Sequence, residues 1–389
     1  MQLEYRLSND TWGEAERAAI LRVLDSNRFT MGGEVQAAER AAAEQFGTKY
    51  AVMTSSGSTA NLLAIAAMVC SGKLRQGDEV LVPAVSWSTT YFPLEQMGLR
   101  FRLVDIDRET LNLDVQKVAA ALTKDTRAIF AVNLLGNPNE FDALCALCRQ
   151  HDLLLMEDNC ESMGASYGGK QAGTFGVFGT YSTFFSHHLC TMEGGFVVTD
   201  DELLYQYMLS LRAHGWTRDL PQSSALHTKD ADPFYESFCF VTPGYNLRPL
   251  EMEGALATEQ FKKLDGFVVQ RRKNAEYLQK KLAGHPLFSM QRETGMSSWF
   301  GFALLLRKPG AGLRDRVVTH LRANGVETRP IVAGNFARQP VFPKLHASVA
   351  GTLENADYVH DNGFFVGNHS QDMAQVLDKL PLLLDQALA

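Results

Sequence analysis

Three stretches of the chain carry residue types able to do chemistry. The last of them, Tyr181 to Gly195, holds adjacent histidines, His187 and His188, ahead of Thr191–Met192–Glu193–Gly194–Gly195. Imidazole titrates near neutrality, so a histidine facing a pocket can act as both acid and base. On an extended segment neighbours point to opposite faces, which predicts that the two rings do not share one ligand. The plain alternative is a pair of polar loop histidines. Upstream, Leu153–Leu154–Leu155–Met156–Glu157–Asp158–Asn159 is an apolar run ending in carboxylates. There Asp158 could hold a protonated ring nitrogen, or cap the following turn. Furthest upstream, Thr54–Ser55–Ser56–Gly57–Ser58–Thr59–Ala60–Asn61 precedes the apolar run LLAIAAMV. A helix start offers free N–H groups and a positive dipole end to a phosphate, although Ser and Thr are also ordinary N-caps. Neither G-x-x-x-x-G-K-[ST] nor an opening G-x-G-x-x-G is present, which disfavours a nucleotide-fold phosphate site.

The elements that must position these residues alternate. Helical patterns cover Asn61–Val69, Asp114–Leu122 and Asp142–His151. Strand-like runs cover Glu79–Val82, Arg102–Asp105, Ala128–Leu134, Leu153–Glu157 and Gly195–Thr199. Such alternation predicts an α/β architecture with a mostly parallel sheet and ligands at the carboxyl ends of its strands. Turn residues at Pro243–Pro249, then a long helical stretch from near Leu250, suggest a boundary. A strand at Trp299–Leu306 and a helix at Leu313–Asn324 follow. We expect a large domain over 1–244 and a smaller α+β domain over 245–389.

The background is that of a soluble globular chain. Its 389 residues include 37 Lys plus Arg against 44 Asp plus Glu, a net charge of −7. With no basic block, neither nucleic acid nor an anionic membrane surface is expected as a partner. No apolar leader or spanning run is visible, and a cytoplasmic location is expected. Six cysteines fit reduced thiols. Cys145 and Cys148 have C-x-x-C spacing but lie in a helix-like run, and Cys70, Cys160, Cys190 and Cys239 are scattered. No metal site is expected from that spacing.

In this order and spacing the segments resemble the sugar-nucleotide branch of the aspartate-aminotransferase (fold-type I) superfamily, whose members bind pyridoxal phosphate. The resemblance spans essentially the whole chain. It includes Phe29–Thr30–Met31–Gly32, Pro83 to Thr90, Asn133 to Pro138, Glu157 to Gly164, Gly173 to Gly176, Arg212 to Gly215 and Gly244 to Arg248. One departure is informative. Where the aminotransferases carry the lysine that forms a Schiff base with the cofactor, six residues before Glu193, this chain has His187. No lysine occurs between Lys170 and Lys229. Imidazole cannot form that bond but can move protons.

This exchange resembles that of the sugar 3-dehydratases of the superfamily, in particular the cluster-free group acting on GDP-4-keto-6-deoxymannose on the way to colitose. The resemblance implies a non-covalent pyridoxal or pyridoxamine phosphate, no iron–sulfur cluster, and L-glutamate as the amino donor. It implies loss of the C3 hydroxyl of the GDP-linked 4-keto-6-deoxy sugar, with His187 as acid and base. It assigns Gly57, Ser58 and Ser182 to the cofactor phosphate, Asp158 to the ring nitrogen and Trp87 to the ring face. Glu161 faces the same cavity by analogy. Asn246 would reach the phosphate in a neighbouring subunit, so a homodimer with shared sites is expected. His214, Arg218, Arg248 and Arg329 match substrate-lining segments, as does Arg212, and guanidinium suits phosphate. A sugar aminotransferase, a dehydratase for another nucleotide sugar and an idle scaffold homologue are the alternatives.

Overall fold

The computed structural model describes residues 4–387. Helices α1 (Glu14–Ser26) and α2 (Gly33–Phe46) lead into strand β1 (Tyr50–Thr54). Helix and strand then alternate through α3 (Gly57–Cys70), β2 (Glu79–Pro83), α4 (Ser88–Gln96), β3 (Arg100–Val104) and α5 (Val115–Ala121). The series continues with β4 (Thr126–Val132), α6 (Phe141–His151) and β5 (Leu154–Asp158). A small hairpin, β6 (Ser166–Tyr167) and β7 (Lys170–Gln171), precedes β8 (Gly179–Ser182), β9 (Gly195–Thr199) and α7 (Glu202–Arg212). Residues 213–250 contain only the short helix α8 (Pro233–Glu236).

The large sheet has the order β1-β9-β8-β5-β4-β2-β3-β13, where β13 is Ala347–Val349. Only β9 runs against the others. Helices cover both faces, so its strands read as continuous apolar runs; every residue of β2 and β9 is buried. Helix α3 is apolar around its circumference because it lies between the sheet and helices α4 and α7.

The rest of the chain supplies α9 (Glu251–Phe261), α10 (Leu264–Lys281), β10 (Phe288–Met290), β11 (Gly301–Leu306), α11 (Leu313–Ala323) and β12 (Thr328–Arg329). After β13 come α12 (Glu354–Asn362), β14 (Gly363–Gly367), α13 (Ala374–Leu377) and α14 (Lys379–Gln386). A four-stranded antiparallel sheet, β10-β11-β14-β12, has its own core around Phe288, Phe302, Leu304 and Val366. Two segments beyond residue 245 join the larger layer instead: β13 pairs with β3, and α9 packs on α1 and α2.

Cys148 is buried on α6, where burial pushes its thiol up to about 11, and Cys145 is half-buried beside it. Arg212 is fully buried at the end of α7. Its guanidinium bonds Glu39 and donates to the Met53 carbonyl at 2.8 Å. It therefore braces β1 against α2, which corrects its expected place among the substrate-lining arginines.

The start of α2 is closed by a residue distant in sequence. The buried Glu251 carboxylate accepts from the N–H groups of Gly32 (2.6 Å), Glu34 (2.7 Å) and Val35 (3.3 Å). Glu251→Ala leaves these donors unpaired and should lower unfolding free energy by about 2–3 kcal/mol in denaturant titration. A loss under about 0.5 kcal/mol, the size of an ordinary surface substitution, would contradict that role.

Candidate active site

Strand β5 delivers Asp158 to the carboxyl end of the parallel strands, where it is buried. Its Oδ2 accepts from Asn61 Nδ2 on α3 at 2.8 Å and from Thr90 Oγ1 on α4 at 2.7 Å. Thr180 Oγ1 on β8 donates to Asn61 Oδ1 at 2.6 Å, and Ser86 Oγ lies 2.8 Å from Thr90 Oγ1. Oδ1 accepts from the Cys160 N–H at 3.2 Å. So Asp158 caps its turn, one of the two roles expected of it, and keeps lone-pair capacity on Oδ1. Asn61 and Thr90 were not singled out in the sequence. A lone amide one turn into α3, at the head of its apolar run, was the available signal, because a buried amide needs partners.

Beside Asp158, α3 starts with a capping box. Ser56 Oγ accepts from the Thr59 N–H, and Thr59 Oγ1 accepts from the Ser56 N–H at 2.9 Å. The Gly57 and Ser58 N–H groups have no acceptor among the described residues. A Cβ on Gly57 would sit 2.6 Å from Ser182 Cβ and 3.0 Å from Cys160 Sγ. Glycine is thus required for Ser182, at the end of β8, to close on this helix start. Two free N–H groups, a positive helix end and a hydroxyl make a cradle that fits a phosphate, with the Asp158 carboxylate held close by. This chain's residues fit a phosphorylated pyridine.

Glu161 is half-buried and accepts from the Leu135 N–H at 3.0 Å. Burial, with Asp158 adding repulsion, pushes its carboxyl up to about 7. Leu135 (φ 53°) lies in a tight turn zipped to the segment before β11. Ser298 N–H donates to Gly136 O at 2.9 Å and Phe300 N–H to Leu135 O at 3.0 Å.

That segment forms the wall for both histidines. Their stretch is a turn, with His187 N–H donating to Phe184 O at 2.8 Å, and not an extended strand. Strand alternation therefore does not separate them; the Phe300 ring lies 5.0 Å from the His187 ring and 5.7 Å from His188. What separates them is burial. His188 is fully buried with Nε2 3.2 Å from Ser298 O. His187 is half-buried, and its Nδ1 has no partner among the described residues. Behind them Arg271, fully buried on α10, donates to Asn368 O at 2.7 Å and Phe300 O at 3.1 Å. Arg271 and Phe300 had no visible signal in sequence, since only the tertiary fold sets them behind the histidines.

The other expected residues lie further out. Trp87 precedes α4 three residues before Thr90, and its ring is 57% exposed. Asn246 is exposed and accepts from Arg248 Nε at 3.0 Å. The next residue, Leu247, ties this strip to the cradle by accepting from the Ser55 N–H at 3.0 Å. His214 (φ 65°) is exposed in the same strip, its N–H donating to Tyr245 O at 2.6 Å. Arg218 stacks 3.7 Å over Trp216 and borders a cleft of about 420 Å³ that Arg40 and Lys49 also line. Arg329 is exposed on β12 in the small sheet, and no hydrogen bond among the described residues links it to the others.

The sequence profile of the DegT/DnrJ/EryC1/StrS aminotransferase family matches residues 10–377. GDP-4-keto-6-deoxy-D-mannose 3-dehydratase of Yersinia pseudotuberculosis is 53% identical over 384 residues, 98% of each chain. A crystal structure of a GDP-4-keto-6-deoxymannose 3-dehydratase, a histidine-to-asparagine variant with bound GDP-perosamine, is similar with a TM-score of 0.96. It shares 51% identity over 98% of this chain and 100% of that one. A second structure of that enzyme, with a trapped PLP–glutamate geminal diamine, has the same score, identity and coverage.

Burial, reinforced by Arg271, pushes the His187 ring down to about 4 from its ordinary 6.5. The native ring then binds fewer protons than the unfolded one between those values. Its contribution to stability is complete above about pH 6.5 and is lost as pH falls towards 4. The His187 ring signal in NMR of the cofactor-free protein should titrate near pH 4; a midpoint near 6.5 would contradict the buried, neutral ring.

Proposed function

The chain belongs to the DegT/DnrJ/EryC1/StrS aminotransferase family, and on that premise we propose how its residues remove the C3 hydroxyl of GDP-4-keto-6-deoxy-D-mannose. The product is GDP-4-keto-3,6-dideoxy-D-mannose, and the enzyme is a 3-dehydratase dependent on pyridoxal and pyridoxamine phosphate. The observation that carries the assignment of roles is His187: an imidazole with a free, buried Nδ1 stands where an aminotransferase needs a lysine. When bound, the cofactor supplies an electron sink conjugated to the sugar.

The chain's residues do the rest. Gly57 and Ser58 N–H groups and the Ser182 hydroxyl hold the phosphate. Asp158 Oδ1 holds the proton of the ring nitrogen, and the exposed Trp87 indole covers one ring face. Neutral His187 takes the proton from the carbon attached to the cofactor's amine nitrogen. As imidazolium it returns that proton to the departing C3 hydroxyl, which leaves as water. Phe300 and Phe184 pack edge-on against the ring and limit its rotation. Glu161, near neutrality in its own ionisation, can hold or release a proton at the mouth of the same cavity. L-Glutamate supplies the amino group that readies the cofactor for another turnover.

His214, Arg218 and Arg248 line the rim from which the GDP diphosphate is gripped, and Arg329 joins them across the small sheet. A second copy of the chain completes the site. The exposure of Trp87 (57%), Phe185 (54%) and Met192 (41%) around it, together with exposed Asn246, supports that homodimer. The 3,6-dideoxy product fits the route to colitose and O-antigen lipopolysaccharide, in the cytoplasm where nucleotide sugars and glutamate are available. No helix among the described residues is long and apolar enough to cross a membrane.

With GDP-4-keto-6-deoxymannose, pyridoxal phosphate and glutamate, the wild-type protein should yield ammonia and the 3-deoxy product. His187→Asn should lower that rate by at least about 10²-fold, as loss of a positioned acid–base group does, with cofactor affinity nearly unchanged. Accumulation of a 4-amino sugar that keeps its C3 hydroxyl would instead make the protein an aminotransferase.

A further inference from the structure

The segment between α7 and α9 poses a physical problem. From 221 to 246 no residue is fully buried, and Leu226, Val241 and Tyr245 pack only partly buried against the main core, so the segment is held weakly. Aromatic side chains in it, Phe234, Phe238 and Phe240, are themselves more than half exposed. Yet it carries a compact polar knot. His227 Nε2 lies 2.9 Å from Glu236 Oε2 and 3.9 Å from Cys239 Sγ. The three ligand atoms all lie within 4.8 Å of one another.

We propose that His227, Glu236 and Cys239 form a binding site for zinc or a similarly thiophilic divalent cation, which clips this segment together. Tetrahedral zinc takes imidazole nitrogen and carboxylate oxygen at about 2.0–2.2 Å and thiolate at about 2.3 Å, so neighbouring ligand atoms stand about 3.3–3.7 Å apart. The observed 2.9 and 3.9 Å bracket that range and the third pair stands within 4.8 Å, so shifts of up to about 1 Å convert the knot into three corners of a tetrahedron. The donor set of one sulfur, one nitrogen and one oxygen suits zinc and leaves a fourth position for water.

The knot is also built from outside, as metal ligands are. Glu236 Oε1 accepts from Thr217 Oγ1 at 2.6 Å, while Oε2 accepts from the Asp230 N–H at 3.0 Å. Thr217 N–H donates to Cys239 O at 3.1 Å, and Cys239 N–H donates to Glu236 O at 3.1 Å. The His227 N–H donates to Ser224 Oγ at 3.0 Å. On binding, the cation takes the place of the hydrogen between His227 Nε2 and Glu236, the neutral imidazole carrying its proton on Nδ1, and displaces the proton of the Cys239 thiol, which goes to solvent. Loop closure then stabilises a stretch that has no core of its own. That stretch begins just after His214 and Arg218, so the clip steadies their strip.

Cobalt titration of the full-length protein tests it. One equivalent of Co²⁺ per chain should bind with thiolate-to-metal charge-transfer absorption, and Zn²⁺ should displace it. The band should vanish in Cys239→Ser and persist in the Cys145→Ser/Cys148→Ser double variant. Thr217→Val, which touches Glu236 and not the metal, should weaken binding about 10–100-fold. Zinc should also slow proteolysis within 221–246 in the wild type and leave the Cys239→Ser rate unchanged. The proposal is overturned if no stoichiometric cobalt binds, if the band survives Cys239→Ser, or if it is lost with the Cys145/Cys148 pair. His227→Gln gives a second, independent removal of a ligand, with the same expected loss.

Discussion

Asp158 ties four elements together with one carboxylate. It ends β5, and Asn61 of α3, Thr90 of α4 and, through Asn61, Thr180 of β8 all close on its Oδ2. Parallel strands open a crevice at their carboxyl ends, and the loops leaving them diverge unless something crosses the gap. Here the crossing is a buried, fully partnered polar network, which fixes one arrangement because leaving any member unpaired is costly. The helix start that offers Gly57 and Ser58, the Trp87 turn before α4, and Ser182 at the end of β8 all hang from elements in this network. A cofactor with no covalent tether depends on that rigidity, since geometry is all that holds it.

A second chain of contacts carries the same rigidity to the acid–base group. Glu161 binds the Leu135 turn, that turn is zipped to Ser298 and Phe300, and Phe300 walls both histidines. Arg271 supports the wall from behind without touching the pocket through any hydrogen bond among the described residues. His188 is fully buried with Nε2 against Ser298 O, whereas His187 is only half-buried; the Nδ1 of each has no partner among the described residues. Two adjacent imidazoles thereby acquire different chemistry from their surroundings alone.

Much of this was legible in the sequence where local pattern decides. The strand ending at Asp158 and the helix after Gly57 follow from apolar periodicity and small residues at a helix start, and both lie within a residue or a few of expectation. The resemblance, counted back six residues from Glu193, marked His187 without any structure, and the gap in lysines between Lys170 and Lys229 left no neighbouring lysine for that position. What pattern could not carry was tertiary: Asn61 and Thr90 meet Asp158 from 97 and 68 residues away, and Arg271 reaches Asn368 across 97. Strand logic failed at His187 and His188 because a turn, not an extended strand, carries them. Arg212 looked like a phosphate ligand by residue type, yet its burial against Glu39 makes it a brace. Cys239 looked solitary for a similar reason: its partners His227 and Glu236 are brought to it by an irregular segment that has no periodicity to read.

The central claim is that an acid–base histidine has taken the lysine's place and the cofactor is held without a covalent bond to the chain. Borohydride treatment of the pyridoxal-phosphate-loaded protein, followed by mass spectrometry of the intact chain and its peptides, addresses it directly. The account predicts an unmodified chain and cofactor that leaves on denaturation. A reduced pyridoxyl group fixed stoichiometrically on any lysine would contradict it.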